Sequence, residues 1–275
     1  MDFAKLQGTG NDFIIINNMR ERIPPELLGA AARQLCQRRR SVGADGLMAV
    51  DAPEAGGDYK MRFYNSDGSL GEMCGNGARC VARYSYENGL AGEKQRIETS
   101  AGMVTAERID RRMYRVRLND PSVIRLNESV EIKGKTYNYS YLELGSPGIP
   151  HVALELPEFW LMEERELREL GRSLRLHPRF PKGANVNFFA ITEENRLTER
   201  TYERGVEDFT LACGTGTGCV VTALTLAGRV SGSAVEVNVP GGQLFVDVEQ
   251  TGLYLTGLTN VVAEGRITDE EFRME

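Results

Sequence analysis

Two thiols in this chain occupy equivalent positions in a repeated motif that contains glycine. Residues 74–81 read CGNGARCV and residues 213–220 read CGTGTGCV, so both follow the pattern C-G-x-G-x-x-C-V. An apolar stretch of helical character follows the glycines in each copy. A free cysteine has a pKa of roughly 8.5, and a helix N-terminus or a nearby cation lowers it. The pattern therefore predicts that Cys74 and Cys213 can each accept or donate a proton.

The glycines beside each thiol predict a site for an anion. Main-chain N–H groups at the start of a helix attract carboxylates and phosphates. Glycine lets the backbone approach such an anion closely because it has no Cβ. We therefore interpret each motif as a flexible turn that combines a proton-transferring thiol with a cradle for a carboxylate. Two such groups aimed at one place suit a reaction that must act on both faces of a substrate.

The remaining cysteines are predicted to be structural. Cys80 and Cys219 close the two motifs within apolar runs, and Cys36 lies on an amphipathic stretch, where buried cysteine acts as a small hydrophobic residue. Five cysteines in a chain without a leader indicate reduced thiols and no disulfide framework. Zinc is a weak alternative, since the C-x5-C spacing is wide and only His151 and His177 could add imidazole ligands.

The repeat extends well beyond the cysteine motifs. Further matches occur in the same order at an offset of about 140 positions, which a duplication explains. They pair Asn11 with His151, residues 43–50 with 183–191, residues 100–104 with 240–244, and the amphipathic stretches 25–38 and 163–175. A period of this length is that of a domain and not of a solenoid repeat.

The secondary-structure pattern is rich in strands in both halves. Apolar and polar residues alternate over residues 114–118 and 137–141, and residues 235–248 are typical of a hairpin around a Pro-Gly-Gly turn. The predicted helices are the two amphipathic stretches and residues 78–87 and 218–226, which end before glycines. This pattern predicts two α+β domains of mostly antiparallel strands. We place them at residues 1–118 and 119–263, with residues 264–275 packing back on the first.

Composition excludes several functional classes. The chain has 275 residues, 41% of them hydrophobic and 26% charged, which is ordinary for a soluble protein of two domains. Its net charge of −6 argues against nucleic acid as a partner. The one basic run, residues 38–40, ends a predicted helix, where cations suit the helix dipole. Without a signal peptide or an apolar run of about 18 residues, the chain is expected in the cytoplasm, away from membranes.

Together these motifs resemble those of the diaminopimelate epimerases, members of the cofactor-independent amino-acid racemase family. The two cysteine motifs in their contexts are the most specific part of the resemblance, which spans nearly the whole chain. The segments that carry it are residues 8–13 (GTGNDF), 43–46 (GADG), 64–69 (YNSDGS), 73–80 (MCGNGARC), 150–151 (PH), 183–185 (GAN), 202–205 (YERG) and 212–216 (ACGTG).

The resemblance implies a fold and a reaction. The fold consists of two pseudo-symmetric, duplicated domains, each a mostly antiparallel sheet wrapped around a central helix, with the active site in the cleft between them. One thiolate removes the α-proton of LL-diaminopimelate from one face and the other thiol returns a proton to the opposite face. The product is the meso form used in lysine and peptidoglycan synthesis. Neither a metal nor another cofactor is implied, and a homodimer is expected.

The resemblance also assigns roles to single residues. Cys74 and Cys213 are the implied acid–base pair, and His151 and Glu203 support the thiols. The implied substrate contacts are Asn11, Asn65, Asn185, Glu203 and Arg204, while Gly75, Asn76, Gly214 and Thr215 hold the α-carboxylate. Simpler interpretations stay open from the residues alone. The asparagines are typical of turns, His151 of a surface histidine, and Glu203 with Arg204 of a solvated charge pair.

Two positions depart from the family pattern. Ile149 stands where an asparagine is usual before the Pro-His pair, and Phe209 stands where a glutamate is usual before Thr210. Both changes are expected to make the surroundings of the pocket more apolar. Arg204, with Asn65 and Asn185, favours a substrate with a distal amino-acid group, while Ile149 favours another amino acid such as histidine. An alternative of a different class is a redox protein in which Cys74 and Cys213 form a disulfide.

Overall fold

The chain divides into two compact units in the computed structural model, which describes residues 1–71 and 73–268. Unit 1 contains Met1–Val116 and the described residues from Gly257 onward, and unit 2 is Arg117–Thr256. The sequence had suggested divisions after residues 118 and 263. Of the segment 264–275, residues 269–275 lie outside the described residues. The described end of the chain meets the beginning, because the Ile267 N–H donates to the Met1 carbonyl at 2.8 Å.

The described residues of the first part of the chain form seven strands and three helices. The strands are β1 (Asp2–Gly8), β2 (Asn11–Asn17), β3 (Gly46–Asp51), β4 (Tyr59–Asn65), β5 (Lys94–Thr99), β6 (Gly102–Arg108) and β7 (Met113–Arg117). The helices are α1 (Asn18–Glu21), α2 (Pro25–Leu35) and α3 (Gly75–Glu87).

The second part repeats this composition of many strands and few helices. The strands are β8 (Pro121–Ile132), β9 (Lys135–Leu144), β10 (Ile149–Glu155), β11 (Asn185–Glu193), β12 (Arg196–Glu203), β13 (Asp208–Thr210), β14 (Val235–Val239), β15 (Gly242–Glu249) and β16 (Gly252–Arg266). The helices are α4 (Glu164–Arg175) and α5 (Gly214–Leu226). A 3₁₀ turn at Phe159–Leu161 precedes α4. The predicted hairpin is confirmed as the antiparallel pair β14–β15.

The sheet of unit 1 wraps around α3. Strands β1 to β7 are neighbours in chain order, and the end of β16 pairs with the outer side of β1. Only β2–β3 and β4–β5 are parallel among the described pairings of this unit. The Thr259 N–H in β16 donates to the Arg112 carbonyl beside β7 at 2.8 Å, so the sheet curls back on itself. Residues 75–85 of α3 are consequently all buried.

Unit 2 has the same plan around α5. Its sheet runs in the order β15–β14–β12–β11–β10–β9–β8, with β13 added to β12 and with parallel pairs β10–β11 and β12–β14. Val186 and Phe188 of β11 pack against Leu167 and Leu174 of α4. Asn187 lies between them in sequence and faces α5, where a Cβ on Gly216 would collide with it. The expected α+β fold, with a mostly antiparallel sheet around a central helix in each half, is confirmed.

The motif glycines lie inside helices, which corrects the predicted flexible turn. Helix α3 begins at Gly75 and not at residue 78, and α5 begins at Gly214 and not at residue 218. A Cβ on Gly77 would collide with Met48, as one on Gly216 would with Asn187. A Cβ at either position would displace a buried side chain, so glycine permits the close approach of helix to sheet, although glycine costs about 1 kcal/mol in a helix interior.

The basic run also departs from its prediction. Helix α2 ends at Leu35, so residues 38–40 follow the helix instead of forming its last turn. The Arg38 guanidinium bonds Asp12 at 2.6 Å and Asp45 at 3.0 Å. Arg38 thus links the start of β2 to the residue that precedes β3. In the part of the chain that the structure describes, no helix has the length and apolar character needed to cross a bilayer.

The packing of α2 on the loop after β4 yields a stability prediction. A Cβ on Gly29 would lie 2.7 Å from the Gly68 carbonyl oxygen, which is main chain and cannot rotate away. We expect Gly29→Ala to lower the free energy of unfolding by about 1–3 kcal/mol, despite the higher helix propensity of alanine. The measurement is urea denaturation.

Gly92→Ala is the matched control, because a Cβ at Gly92 meets no atom within 4 Å. It should change the free energy of unfolding by no more than about 0.5 kcal/mol. Equal stability of the two variants would contradict the close contact between α2 and the loop.

Candidate active site

Cys74 caps the N-terminus of α3. Its backbone is extended, with φ −124° and ψ 112°, and its Sγ accepts a hydrogen bond from the Gly77 N–H at 3.4 Å. The thiol thus lies at the N-terminus of the helix, where the helix dipole favours a negative charge. Cys80 is fully buried, and burial raises the pKa of its thiol to about 12, as expected for a structural cysteine.

Polar side chains connect Cys74 to the starts of β2 and β3. The Asn11 Oδ1 atom lies 3.9 Å from Cys74 Sγ and accepts a hydrogen bond from Asn76 Nδ2 at 3.4 Å. Asn11 Nδ2 in turn donates to Asp45 Oδ2 at 2.6 Å. The structure therefore brings together Cys74, Asn11 and Asn76, all three of which the sequence had selected, and adds Asp45, which it had not.

Arg79 is a further residue of this site that sequence reasoning missed. It is 0% exposed and donates to Thr9 Oγ1 at 2.8 Å and to Asn76 Oδ1 at 3.0 Å. It thereby fastens the β1–β2 turn to the first turn of α3. Burial lowers the pKa of the guanidinium to about 10. We call Cys74, Asn11, Asn76, Asp45 and Arg79 the Cys74 site.

Asn65 lies at the end of β4, beside this site. The Ser66 N–H that follows it donates to the Asp45 carbonyl at 3.0 Å. The Asn65 Nδ2 atom donates to Ser69 Oγ at 3.0 Å, and this bond closes the loop at residues 65–69. The interpretation of Asn65 as a turn residue thus describes its present contacts, and a substrate would have to compete with Ser69 for the amide.

Cys213 occupies the equivalent position at the N-terminus of α5. Its backbone has φ −122° and ψ 99°, and its Sγ lies 3.7 Å from Thr215 Oγ1. It is 8% exposed. Burial raises the pKa of the thiol well above its usual value, and the charge of Glu203 raises that pKa further. Glu203 accepts a hydrogen bond from Thr210 Oγ1 at 2.8 Å, and its charge acts on the Cys213 thiol, so the structure places Glu203 near Cys213.

His151 is fully buried near the start of β10, which excludes the interpretation as a surface histidine. Burial lowers the pKa of its imidazole to about 3, so the ring is neutral at physiological pH. Asn187 Nδ2 lies 3.4 Å from Nδ1 and donates to the Val152 carbonyl at 3.1 Å, while Asn187 Oδ1 accepts from Thr201 Oγ1 at 3.0 Å. With Asn187 as donor to Nδ1, the imidazole proton lies on Nε2. That atom has no partner among the described residues and can donate to a ligand.

Glu199 is an acid that sequence reasoning missed. It is 1% exposed and its Oε2 atom accepts from Thr217 Oγ1 at 2.7 Å. Burial raises the pKa of the Glu199 carboxyl to about 8, so the group is largely neutral at pH 7. We call Cys213, His151, Asn187, Glu199 and Thr217 the Cys213 site. A period-two pattern would have found part of it, since residues 199, 201 and 203 share one face of β12.

Arg204 and Asn185 are coupled at the end of β12. The Arg204 N–H donates to Asn185 Oδ1 at 2.8 Å, and its guanidinium donates to the Lys182 carbonyl at 3.0 Å. Asn185 lies directly opposite His151 in the β10–β11 pair. Half-buried Arg204 thus retains guanidinium N–H groups for an anionic ligand close to the Cys213 site.

The two departures from the family pattern differ in position. Ile149 begins β10 and is half-buried, two residues before His151 in the same strand. Phe209 packs against Phe188 and Tyr202, and the Arg200 guanidinium stacks 3.9 Å from its ring centroid. Those partners belong to the α4 side of the sheet. The expectation that Phe209 makes the pocket more apolar is therefore wrong, because its ring fills the core on the other face.

A family model and curated relatives match this chain. The model described as diaminopimelate epimerase matches residues 3–123 and 145–262. A diaminopimelate epimerase of Aquifex aeolicus is 38% identical over 283 residues, with 98% of this chain and 99% of that protein covered. One of Hydrogenobaculum is 36% identical over 281 residues, covering 99% and 100%.

Solved structures show that the fold is shared more widely. A phenazine biosynthesis protein of the PhzF family from Bacillus anthracis superposes with a TM-score of 0.73 at 15% identity, with 98% of this chain and 99% of that chain covered. A probable proline racemase from Agrobacterium radiobacter has a TM-score of 0.70 at 16% identity, covering 98% and 94%. At these low sequence identities, the matches support only the shared fold. From the family model and the full-length relatives, the chain belongs to the diaminopimelate epimerase family.

Proposed function

We propose that this chain is an isomerase that interconverts LL- and meso-diaminopimelate by inverting one α-carbon with two thiols. The observation that carries the proposal is the repeated placement of a cysteine as the N-cap of a buried helix, in a chain that belongs to this family. The thiolate of one cysteine removes the α-proton, and the thiol of the other donates a proton to the opposite face. The roles exchange when the reaction runs backwards.

The helix starts stabilise the charge that develops during proton removal. Removing the α-proton delocalises negative charge into the α-carboxylate, which then carries more charge than in the ground state. Main-chain N–H groups of Gly75, Asn76, Gly214 and Thr215 lie in the first turns of α3 and α5, at the positive end of each helix dipole. Such preorganised donors stabilise a transition state more than a ground state. This chemistry uses no metal or organic cofactor.

The remaining predicted residues orient the thiols and the substrate. The neutral His151 imidazole can donate its Nε2 proton, and Glu203 keeps a negative charge near Cys213 that favours its protonated form. We assign Asn11, Asn65, Asn185, Glu203 and Arg204 to the polar groups of the substrate. Arg204 suits the carboxylate at the distal end, since an arginine–carboxylate pair is charge-assisted.

Three finer expectations remain part of this proposal. A cytoplasmic location agrees with the five cysteines, all of which are free thiols. A homodimer and a role in lysine and peptidoglycan precursor synthesis follow from the family resemblance.

A racemase of another amino acid such as histidine is the second candidate, and the observation that favours it is the apolar Ile149 close to His151.

The experiment that tests the proposal is incubation of the purified protein with LL-diaminopimelate or L-histidine in deuterium oxide. Chiral separation with mass analysis shows which substrate inverts and whether it gains one deuterium from solvent. Inversion of diaminopimelate with label uptake is the expected result. Inversion of histidine alone would assign the chain to the second candidate.

The first prediction separates the two catalytic thiols from the other cysteines. Cys74→Ala and Cys213→Ala should each abolish inversion, because each removes the only group that serves one face of the α-carbon. Cys80→Ala and Cys219→Ala are matched controls, since both cysteines are fully buried in the same helices. They should retain turnover and lose about 0.5–3 kcal/mol of stability. Turnover retained by both of the first two variants would refute the two-thiol mechanism.

The second prediction concerns the distal end of the substrate. Arg204→Ala should lower kcat/KM for diaminopimelate about ten- to a hundredfold, because a charge-assisted bond contributes roughly 1.5–3 kcal/mol. Ile149→Asn should raise the same parameter modestly. Arg200→Ala is the matched control on the same strand, since Arg200 contacts Phe209 and Glu164. A larger loss for histidine than for diaminopimelate in Arg204→Ala would contradict the assignment.

The third prediction follows from the protonation state of Glu199. Its pKa is about 8 in the folded protein because burial raises it, against roughly 4.3 in an unfolded chain. Between these values the unfolded chain has released a proton that the folded protein retains, so the free energy of unfolding falls as the pH rises. Glu199→Gln should remove this dependence of the free energy of unfolding on pH and should retain turnover, since glutamine resembles the neutral acid. Denaturation at several pH values measures the dependence. An unchanged pH dependence in the variant would contradict the neutral state of Glu199.

A further inference from the structure

The two thiol sites differ in the ionisable group buried beside them. The sixth position of the cysteine motif is Arg79 in α3 and Gly218 in α5. Arg79 is fully buried, and Glu199 is the buried ionisable group next to α5. The duplication therefore preserved the helix and its capping cysteine but placed a cation in one copy and an acid beside the other.

Arg79 is a buried cation without a carboxylate partner among the described residues. Its hydrogen-bond acceptors are Thr9 Oγ1, Asn76 Oδ1 and the Gly75 carbonyl, at 2.8, 3.0 and 3.4 Å, and all three are neutral. Its Nε has no partner in the described part of the chain. A buried charge without a counter-charge costs several kcal/mol. Arg83, one turn further along the same helix, does have a counter-charge, since its Nε bonds Glu87 at 3.0 Å.

Cys74 is the group that can supply the missing charge. Cys80 and Cys74 are the two ionisable groups near Arg79 whose negative forms would stabilise its charge. Cys80 stays neutral, because burial raises the pKa of its thiol to about 12. Cys74 is less buried than Cys80 and caps the helix by accepting a hydrogen bond from the Gly77 N–H, two conditions that favour a thiolate.

Among the described residues, the ionisable groups on the strands next to α3 are neutral or paired with other residues. Tyr59 of β4 donates its hydroxyl to Gln95, and burial raises the pKa of Tyr114 in β7 to about 12, so both stay neutral. Asp45 bonds Arg38 at 3.0 Å and is separated from Cys74 by Asn11. Lys5 and Asp12 bond each other at 3.0 Å.

The surroundings of Cys213 favour the opposite state. Burial raises the pKa of its thiol, and the charge of Glu203 raises that pKa further, while the neighbouring Glu199 is largely neutral at pH 7. No arginine or lysine lies in α5. A thiolate at this position would therefore be both desolvated and close to acidic side chains.

We infer that Arg79 is a positioning residue that holds Cys74 as the thiolate in the resting protein, while Cys213 rests as the thiol. Arg79 acts through its bonds to Thr9 and Asn76 and through its charge. The charge states of the two thiols do not depend on the proposed function, but the catalytic roles that follow from them do. In an epimerase, the ligand-free enzyme would then carry its base at Cys74 and its acid at Cys213.

The test measures thiolate formation directly in the ligand-free wild-type protein. Iodoacetamide alkylation is followed at a series of pH values, and peptide mapping gives the rate at Cys74 and Cys213 separately. Each rate is normalised to its own plateau, so that exposure does not affect the midpoint. We expect the Cys74 midpoint to lie at least about one pH unit below that of Cys213. A Cys74 midpoint equal to or above that of Cys213 would overturn the inference.

Variants then identify Arg79 as the cause. Arg79→Met should raise the Cys74 midpoint by about one pH unit, a tenfold loss of thiolate, and Arg79→Lys should restore most of it. Arg83→Met is the matched control, since it removes a buried arginine that is paired with Glu87. It should leave the midpoint unchanged. A purely structural role for Arg79 would alter the alkylation rate at every pH without moving the midpoint, and that result would refute the assignment.

The alkylation experiment also separates a failure of the inference about Arg79 from a failure of the proposed function. If Arg79→Met does not fold, as judged by circular dichroism, the wild-type midpoints and the Arg79→Lys variant still decide the question. Alkylation requires no turnover. Ordered midpoints without inversion of diaminopimelate would refute the proposed reaction and support the inference, whereas inversion with reversed midpoints would do the opposite.

Discussion

The structure of each unit depends on how closely the first turn of a buried helix approaches the sheet around it. In α3 this turn contains Gly77, next to Met48, and in α5 it contains Gly216, next to Asn187. The capping cysteine precedes this turn directly, so its sulfur is placed by the packing of a whole unit and not by a mobile loop. A group that moves a proton benefits from such rigidity, because proton transfer requires a short and well-aligned approach.

Burying the starts of these helices has an electrostatic consequence. Every polar group at such a helix start must find a partner or lose free energy. The Cys213 site meets this requirement with neutral groups, among them the Asn187 amide, the Thr217 hydroxyl and a protonated Glu199. The Cys74 site meets it with the Arg79 guanidinium. One duplicated backbone thus supports two thiols with different electrostatic surroundings.

This difference fits a reaction that needs a base and an acid at the same time. Two identical sites would both favour the thiolate or both favour the thiol, and either state lacks one of the two partners. A pair of environments that move two pKa values apart is the general solution to this problem. The buried and neutral His151, with its unpartnered Nε2, adds a donor whose protonation does not change between pH 5 and pH 8.

Much of this organisation was readable from the chain alone. The duplication, the α+β class, the equivalent positions of Cys74 and Cys213 in the repeated motif and the hairpin at residues 235–248 all follow from local patterns and their spacing. The neighbourhood of Asn11, Asn76 and Cys74, and that of Glu203 and Cys213, followed from the family resemblance. These features are recoverable because a motif and a hydrophobic period are properties of neighbouring residues.

Tertiary structure decided which residues surround the thiols. No role was predicted for Arg79, Asp45, Asn187 or Glu199, because their importance arises from burial and from partners far along the chain. Phe209 was predicted near the pocket, and that prediction was wrong for the same reason. The face of the sheet that it occupies depends on the register of β12 and β13. The helix starts at Gly75 and Gly214 were also beyond local reasoning. Propensity places glycine outside a helix, and only the nearby sheet shows why it stands inside one.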